Sequence, residues 1–66
     1  MPDRRCPVLI ETPQGDTRAG LWFSSEAYPS EVLIALREKG WRAYRVQFDP
    51  ESVAWIARVI DWDVAA

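Results

Sequence analysis

The sequence predicts a small α+β domain of order ββαββ, a four-stranded, mostly antiparallel sheet with one helix on one face. Three observations carry that expectation. Two β-prone runs flank PQG at 13–15; one stretch at about 28–39 has helical apolar spacing, with a proline near its start and a glycine after its end; two further apolar runs flank DPES at 49–52.

The 66 residues make one domain: a hairpin at about 7–24, the helix at about 28–39 and a second hairpin at about 41–62. A chain of this size buries only about 60% of its surface on folding, so every large apolar side chain matters. The hydrophobic fraction of 48%, with four Trp, two Tyr and two Phe, is enough for a core.

In the first hairpin, Val8 to Thr12 and Thr17 to Phe23 fit a three-residue loop with Gly15 in the left-handed position. That loop sets Thr12 opposite Asp16, Ile10 opposite Arg18, Leu9 opposite Ala19 and Pro7 opposite Leu21. Pro7, Leu9, Ala19, Leu21 and Phe23 then share one face, and Val8, Ile10, Arg18, Gly20 and Trp22 the other. Gly20 in mid-strand marks a bulge or a close approach of another group.

In the helix, Pro29 suits the first turn, Glu31 the positive end of the dipole, Arg37 and Lys39 the negative end, and Gly40 the left-handed stop. Val32, Leu33 and Leu36, with Ala35 beside them, form the apolar stripe, and Ile34 falls away from it. Trp41 to Phe48 then alternates, with Tyr44, Val46 and Phe48 on a core face and Trp41, Ala43, Arg45 and Gln47 on a mixed one.

DPES is a fair turn and also a fair helix start. The segment after it, VAWIARVIDWDV at 53–64, has nine apolar side chains in twelve positions. Val53, Ile56, Ala57, Ile60 and Val64 recur at helical spacing, which keeps ββαβα open. A helix would leave Trp55, Val59 and Trp62 off its stripe, whereas a strand sets Phe48 against Val53, Val46 against Trp55 and Tyr44 against Ala57. The strand is therefore preferred, and strand order stays open because a helical crossover permits several arrangements. One helix of about three turns covers one face of a four-stranded sheet. The other face looks outward unless another chain covers it.

The chemistry is narrowed by what the sequence contains. It has no histidine, and its three glycines are too scattered for a phosphate loop. Its one cysteine, Cys6, reads as a small apolar filler rather than a reactive thiol. The acid pairs Asp49/Glu51 and Asp61/Asp63 read as solvated carboxylates at a turn and a chain end. No catalytic residue, metal ligand or cofactor site is expected.

No apolar run exceeds five residues, which gives no membrane span, and the single cysteine makes a reducing, cytoplasmic setting the expectation. The net charge of −2 argues against a dedicated nucleic-acid binder. Seven of the eight bases are arginine, a side chain suited to stacking and forked hydrogen bonds.

The candidate binding surface is the outward sheet face, carrying Trp22, Trp41, Arg18, Arg45, Arg58, Gln47, Ile56 and Ile60, with Ile34 a lesser candidate on the helix. Trp and Arg dominate protein interfaces, so the expected function is a non-enzymatic protein-binding module. Its partner would be itself or a larger complex that it inhibits or adapts, as small mobile-element proteins do to host complexes. The same residues stack on bases and pair with phosphates, so single-stranded nucleic-acid binding is the alternative. Four tryptophans and a rim of arginines in an ordinary core would explain the same composition.

Overall fold

The computed structural model describes residues 5–60. Strands β1 (Arg5–Thr12) and β2 (Gly15–Ser24) are followed by helix α1 (Pro29–Glu38) and strands β3 (Ala43–Asp49) and β4 (Ala54–Val59). They form a small α+β domain of order ββαββ, with one four-stranded mixed sheet in the spatial order β2-β1-β4-β3. Each hairpin is antiparallel, and the two are joined by a parallel pairing of β1 with β4 at the centre. Ala54–Val59 is a strand, with no helix in its place, while Val53 belongs to the loop before it and Ile60 lies beyond its end. Asp61, Trp62, Asp63 and Val64, the rest of the segment read as a strand, lie outside the described residues.

Central placement sets neighbouring strands beside the side chains of β1 and β4 on both faces, which half-buries Leu9 and Ile56 on the uncovered one. The core draws on every element. Cys6, Val8 and Ile10 of β1 pack with Ala19 of β2, Val46 of β3, Trp55 and Ala57 of β4, and Val32 and Leu36 of α1. Cys6 is buried among them, as a small apolar filler would be. Trp55 sits edge-on to Phe48, with ring centroids 5.6 Å apart, and its indole N–H donates to the Ser24 carbonyl at 3.1 Å. A buried indole needs such an acceptor, and this one ties the central strand to the end of β2, where the chain leaves for the helix.

Three local features differ from the sequence expectation. The first loop closes one residue earlier, over Pro13 and Gln14, so Thr12 pairs with Gly15, Ile10 with Thr17 and Leu9 with Arg18. A slip of one residue exchanges the faces of a strand. Val8 and Ile10 therefore belong to the core, while Pro7 and Leu9 share the outer face with Arg18 and Trp22. Two extra residues of β2 then bulge out between Leu9↔Arg18 and Pro7↔Trp22, around Gly20 at φ 76°. The mid-strand glycine thus marks a bulge, in a backbone conformation that L side chains rarely adopt.

The second difference is at the start of β3. Ala43 pairs with Val59, but Arg45 pairs with Arg58, so Tyr44 is an extra residue. The bulge turns Ala43 into the core and leaves Tyr44, expected inside, 52% exposed. Third, the second loop is two residues longer than expected, and Phe48 faces Trp55 while Val46 faces Ala57. A slip of two preserves the faces, so the assignment of Val46, Phe48, Trp55 and Ala57 to the core stands.

That loop is closed by Asp49. Its carboxylate accepts from the Glu51 N–H at 3.1 Å and from the Ser52 hydroxyl at 2.8 Å, an Asx-turn in place of a helix cap. The helix ends as its glycine predicts. Gly40, at φ 99°, donates to the Arg37 carbonyl, and Trp41 donates to that of Leu36. These two bonds make a Schellman motif.

Val53 closes the second loop at φ 52°, a left-handed conformation that is costly for a β-branched residue. Val53→Asn should relieve that strain and raise stability by about 1 kcal/mol, several degrees in Tm for a domain this small. Thermal unfolding checks it, and a lower Tm would show that Val53 does not hold this conformation.

Candidate functional site

The open face of the sheet is built from alternate residues of four strands, and the pairings fix its rows. One row runs Asp16, Glu11, Arg58, Arg45 from β2 to β3, and the next runs Arg18, Leu9, Ile56, Gln47. Trp22 pairs with Pro7 at the end of the first hairpin away from its loop, and Asp49 with Ala54 beside the loop of the second. Leu9 and Ile56 form a half-buried apolar centre, with Trp22 49% exposed at one corner. A depression of about 420 Å³ covers the middle and the β3 side, with Leu9 and Ile56 at its floor and Glu11, Asp16, Arg45 and Arg58 among its walls.

The charges have local partners. Arg58 Nε donates to Glu11 Oε1 at 2.9 Å across the parallel pair. Both side chains are about half exposed, so solvent leaves this ion pair worth well under about 1 kcal/mol. Its effect is on position, because it holds Arg58 toward β1 and away from Arg45, the like charge directly opposite. Arg45 reaches the Gln47 side-chain oxygen at 3.4 Å. Asp49 is engaged in its turn. The face carries four bases and three acids: Arg5, Arg18, Arg45 and Arg58 against Glu11, Asp16 and Asp49.

The outward surface expected from the sequence is therefore partly one surface and partly not. Arg18, Trp22, Arg45, Gln47, Ile56 and Arg58 come together on the open face. Trp41 does not; it is half-buried against the core. The reason is the helix stop, since the residue after the left-handed glycine of a Schellman motif folds back onto the last helical turn. Ile60 is 71% exposed beyond β4, where its N–H donates to the Arg42 carbonyl, and it borders a second hollow shared with Trp41, Arg37 and Arg42. Ile34 is exposed on the helix, apart from both.

Leu9, Glu11 and Asp16 are members of the face that the sequence reading missed. Their omission follows from the loop register, because β1 is apolar on alternate residues of both parities and gives no internal signal of which side is outward. Among the described residues, no helix is long and apolar enough to cross a membrane, and no group of three His, Cys, Asp or Glu is placed to hold a metal ion. No family model, curated protein or solved structure matches this chain.

The two exposed-looking tryptophans should behave differently. Trp41→Ala should cost on the order of 2 to 3 kcal/mol by opening a gap at the helix end, while Trp22→Ala should change stability by less than about 1 kcal/mol. Urea unfolding of both variants measures the difference. Equal effects would show that the two side chains are packed alike.

Proposed function

We propose that this chain is a non-enzymatic protein-binding module that acts through the open face of its sheet. The observation that carries the reading is the pairing of an apolar centre, Leu9 and Ile56, with a rim of Arg18, Arg45, Arg58 and Trp22, on a face that no element of the described fold covers. Apolar centre and polar rim are the anatomy of protein interfaces, and Trp and Arg are the residues that carry most of their energy. A protein of this size acts by occupying a surface, which suits an inhibitor or adaptor of a larger complex and equally a self-associating unit.

Charge favours a protein over a nucleic acid. The four arginines of the face stand among three acids, and Arg58 is engaged by Glu11, so a phosphate backbone would meet repulsion as well as attraction. The candidate acids also have structural partners. Asp49 closes a turn and Glu11 holds Arg58, which suits binding better than acid–base chemistry.

The test compares two isoleucines. Ile56→Lys, at the centre of the face, should abolish protein capture by the immobilised chain, from nuclease-treated native lysate and from a solution of the chain itself. Ile34→Lys, on the helix, should leave capture unchanged. Both variants should keep their circular dichroism, because both positions tolerate a polar end in water. Equal capture by the two variants would remove the sheet face from the function. Binding of single-stranded oligonucleotides that weakens steeply with salt would replace a protein partner by a nucleic acid.

A further inference from the structure

Resting on the reading of the sheet face as a protein interface, we propose that its occupant is a second copy of this chain. The two sheets pack face to face about a two-fold axis running along the strands between β1 and β4.

The argument is the order of charges across the rows. A two-fold axis along the strands keeps each row at its own height and exchanges its two ends, so β2 of one chain lies over β3 of the other and β1 over β4. In the row Asp16, Glu11, Arg58, Arg45, the acids occupy the β2 and β1 half and the bases the β4 and β3 half. Asp16 then faces the partner's Arg45, and Glu11 faces the partner's Arg58. In the next row Leu9 faces the partner's Ile56, and Arg18 faces the partner's Gln47, an acceptor. Every charged position of these two rows meets an opposite charge or a neutral hydrogen-bonding group, and the apolar pair meets itself. The four central charges, two Glu11 and two Arg58, alternate in sign around the axis.

Two alternatives are disfavoured. An axis across the strands through the second row would set Arg18 over the partner's Arg18. Joining chains by a sheet edge is opposed by the bulges around Gly20 in β2 and at Tyr44 in β3, the two edge strands, since bulges interrupt the ladder a new strand would extend. Aligned sheets pack about 10 Å apart at about 30°, a gap and an angle that long arginine side chains can span.

Size sets the strength. Four strands at about 4.8 Å and about six residues at 3.3 Å give a projected footprint of roughly 400 Å² per chain. Even with the extra accessible area of side chains, that lies at the small end of stable interfaces, so the dimer is a reversible one with a dissociation constant of micromolar order.

The test exploits the distance between Asp16 and Arg45. They lie on opposite edge strands, three strand spacings or about 14 Å apart, so they form no ion pair within one chain but face each other twice in the dimer. Sedimentation equilibrium over roughly 1 to 500 µM should show a monomer–dimer equilibrium for the unmodified chain. Asp16→Arg and Arg45→Asp should each weaken it about tenfold or more, because each creates two like-charge contacts per dimer. An equimolar mixture of the two variants should recover the association, since in the mixed dimer both contacts again join opposite charges. Both positions are exposed, and unchanged thermal unfolding confirms that the variants fold.

A chain that stays monomeric at the highest concentration overturns the dimer, as does a mixture that associates no better than either variant alone. If the monomer still captures a foreign protein, and loses it with Ile56→Lys, the face is a protein interface with a different occupant. If it captures nothing, the interface reading falls as well.

Discussion

The parallel pairing of β1 with β4 is the constraint from which the rest of the structure follows. Each hairpin alone is a two-stranded ribbon, too small to bury a face. Setting Val8 beside Trp55 and Ile10 beside Ala57 turns two ribbons into one sheet and puts the fully buried side chains of both in a single layer under the helix. The same four-residue pairing creates the opposite surface, because it also sets Leu9 beside Ile56 and Glu11 beside Arg58. Core and candidate interface are two sides of one register. A shift of that register would scatter both.

With only one helix, the chain spends its covering capacity on one side. Val32 and Leu36 are buried there, and Trp55 fills the space toward the end of β2 with its indole hydrogen bond satisfied. The described residues leave no buried side-chain polar atom without a partner. The covered side is thus complete, with apolar area removed from water and polar groups satisfied. The other side keeps its apolar pair half-buried by the long side chains around it, which shield Leu9 and Ile56 in the way arginine stems cover apolar surface on soluble proteins. That compromise limits the apolar area left in water and keeps a centre that further burial would stabilise.

How much of this was legible in the sequence depends on where the information lies. Helix ends were readable because Pro29 and Gly40 act locally, through a fixed φ and a left-handed one. The faces of β3 and β4 around Phe48 and Trp55 were readable because the alternation survives a slip of two residues. The first hairpin was not, since Val8, Leu9 and Ile10 are all apolar and only the exact length of the loop decides which of them face out. Tyr44 was misplaced for a related reason. A bulge has no composition of its own unless a glycine marks it, as Gly20 does in β2. Trp41 looked like a strand residue because it follows Gly40 directly, whereas the helix stop governs it. The β1·β4 pairing and the rows it creates depend on contacts 47 residues apart, beyond what local patterns carry.

The open face also shows why charge balance and charge order have to be distinguished. Summed over the face, four bases against three acids leave little net charge, and the sum would suggest an indifferent surface. The order is different. On the row nearest the first loop, the acids belong to the first hairpin and the bases to the second, so the two hairpins attract where they meet, at Glu11 and Arg58. One such exposed pair contributes little to stability, yet it discriminates, because a pairing of the hairpins shifted by two residues would set Glu11 beside Ile56 or Ile60 instead of Arg58. A surface whose halves are complementary to each other is, for the same reason, complementary to its own two-fold image. In the proposed dimer, the electrostatic feature that joins the two hairpins within a chain would act again, without further residues, between two chains face to face.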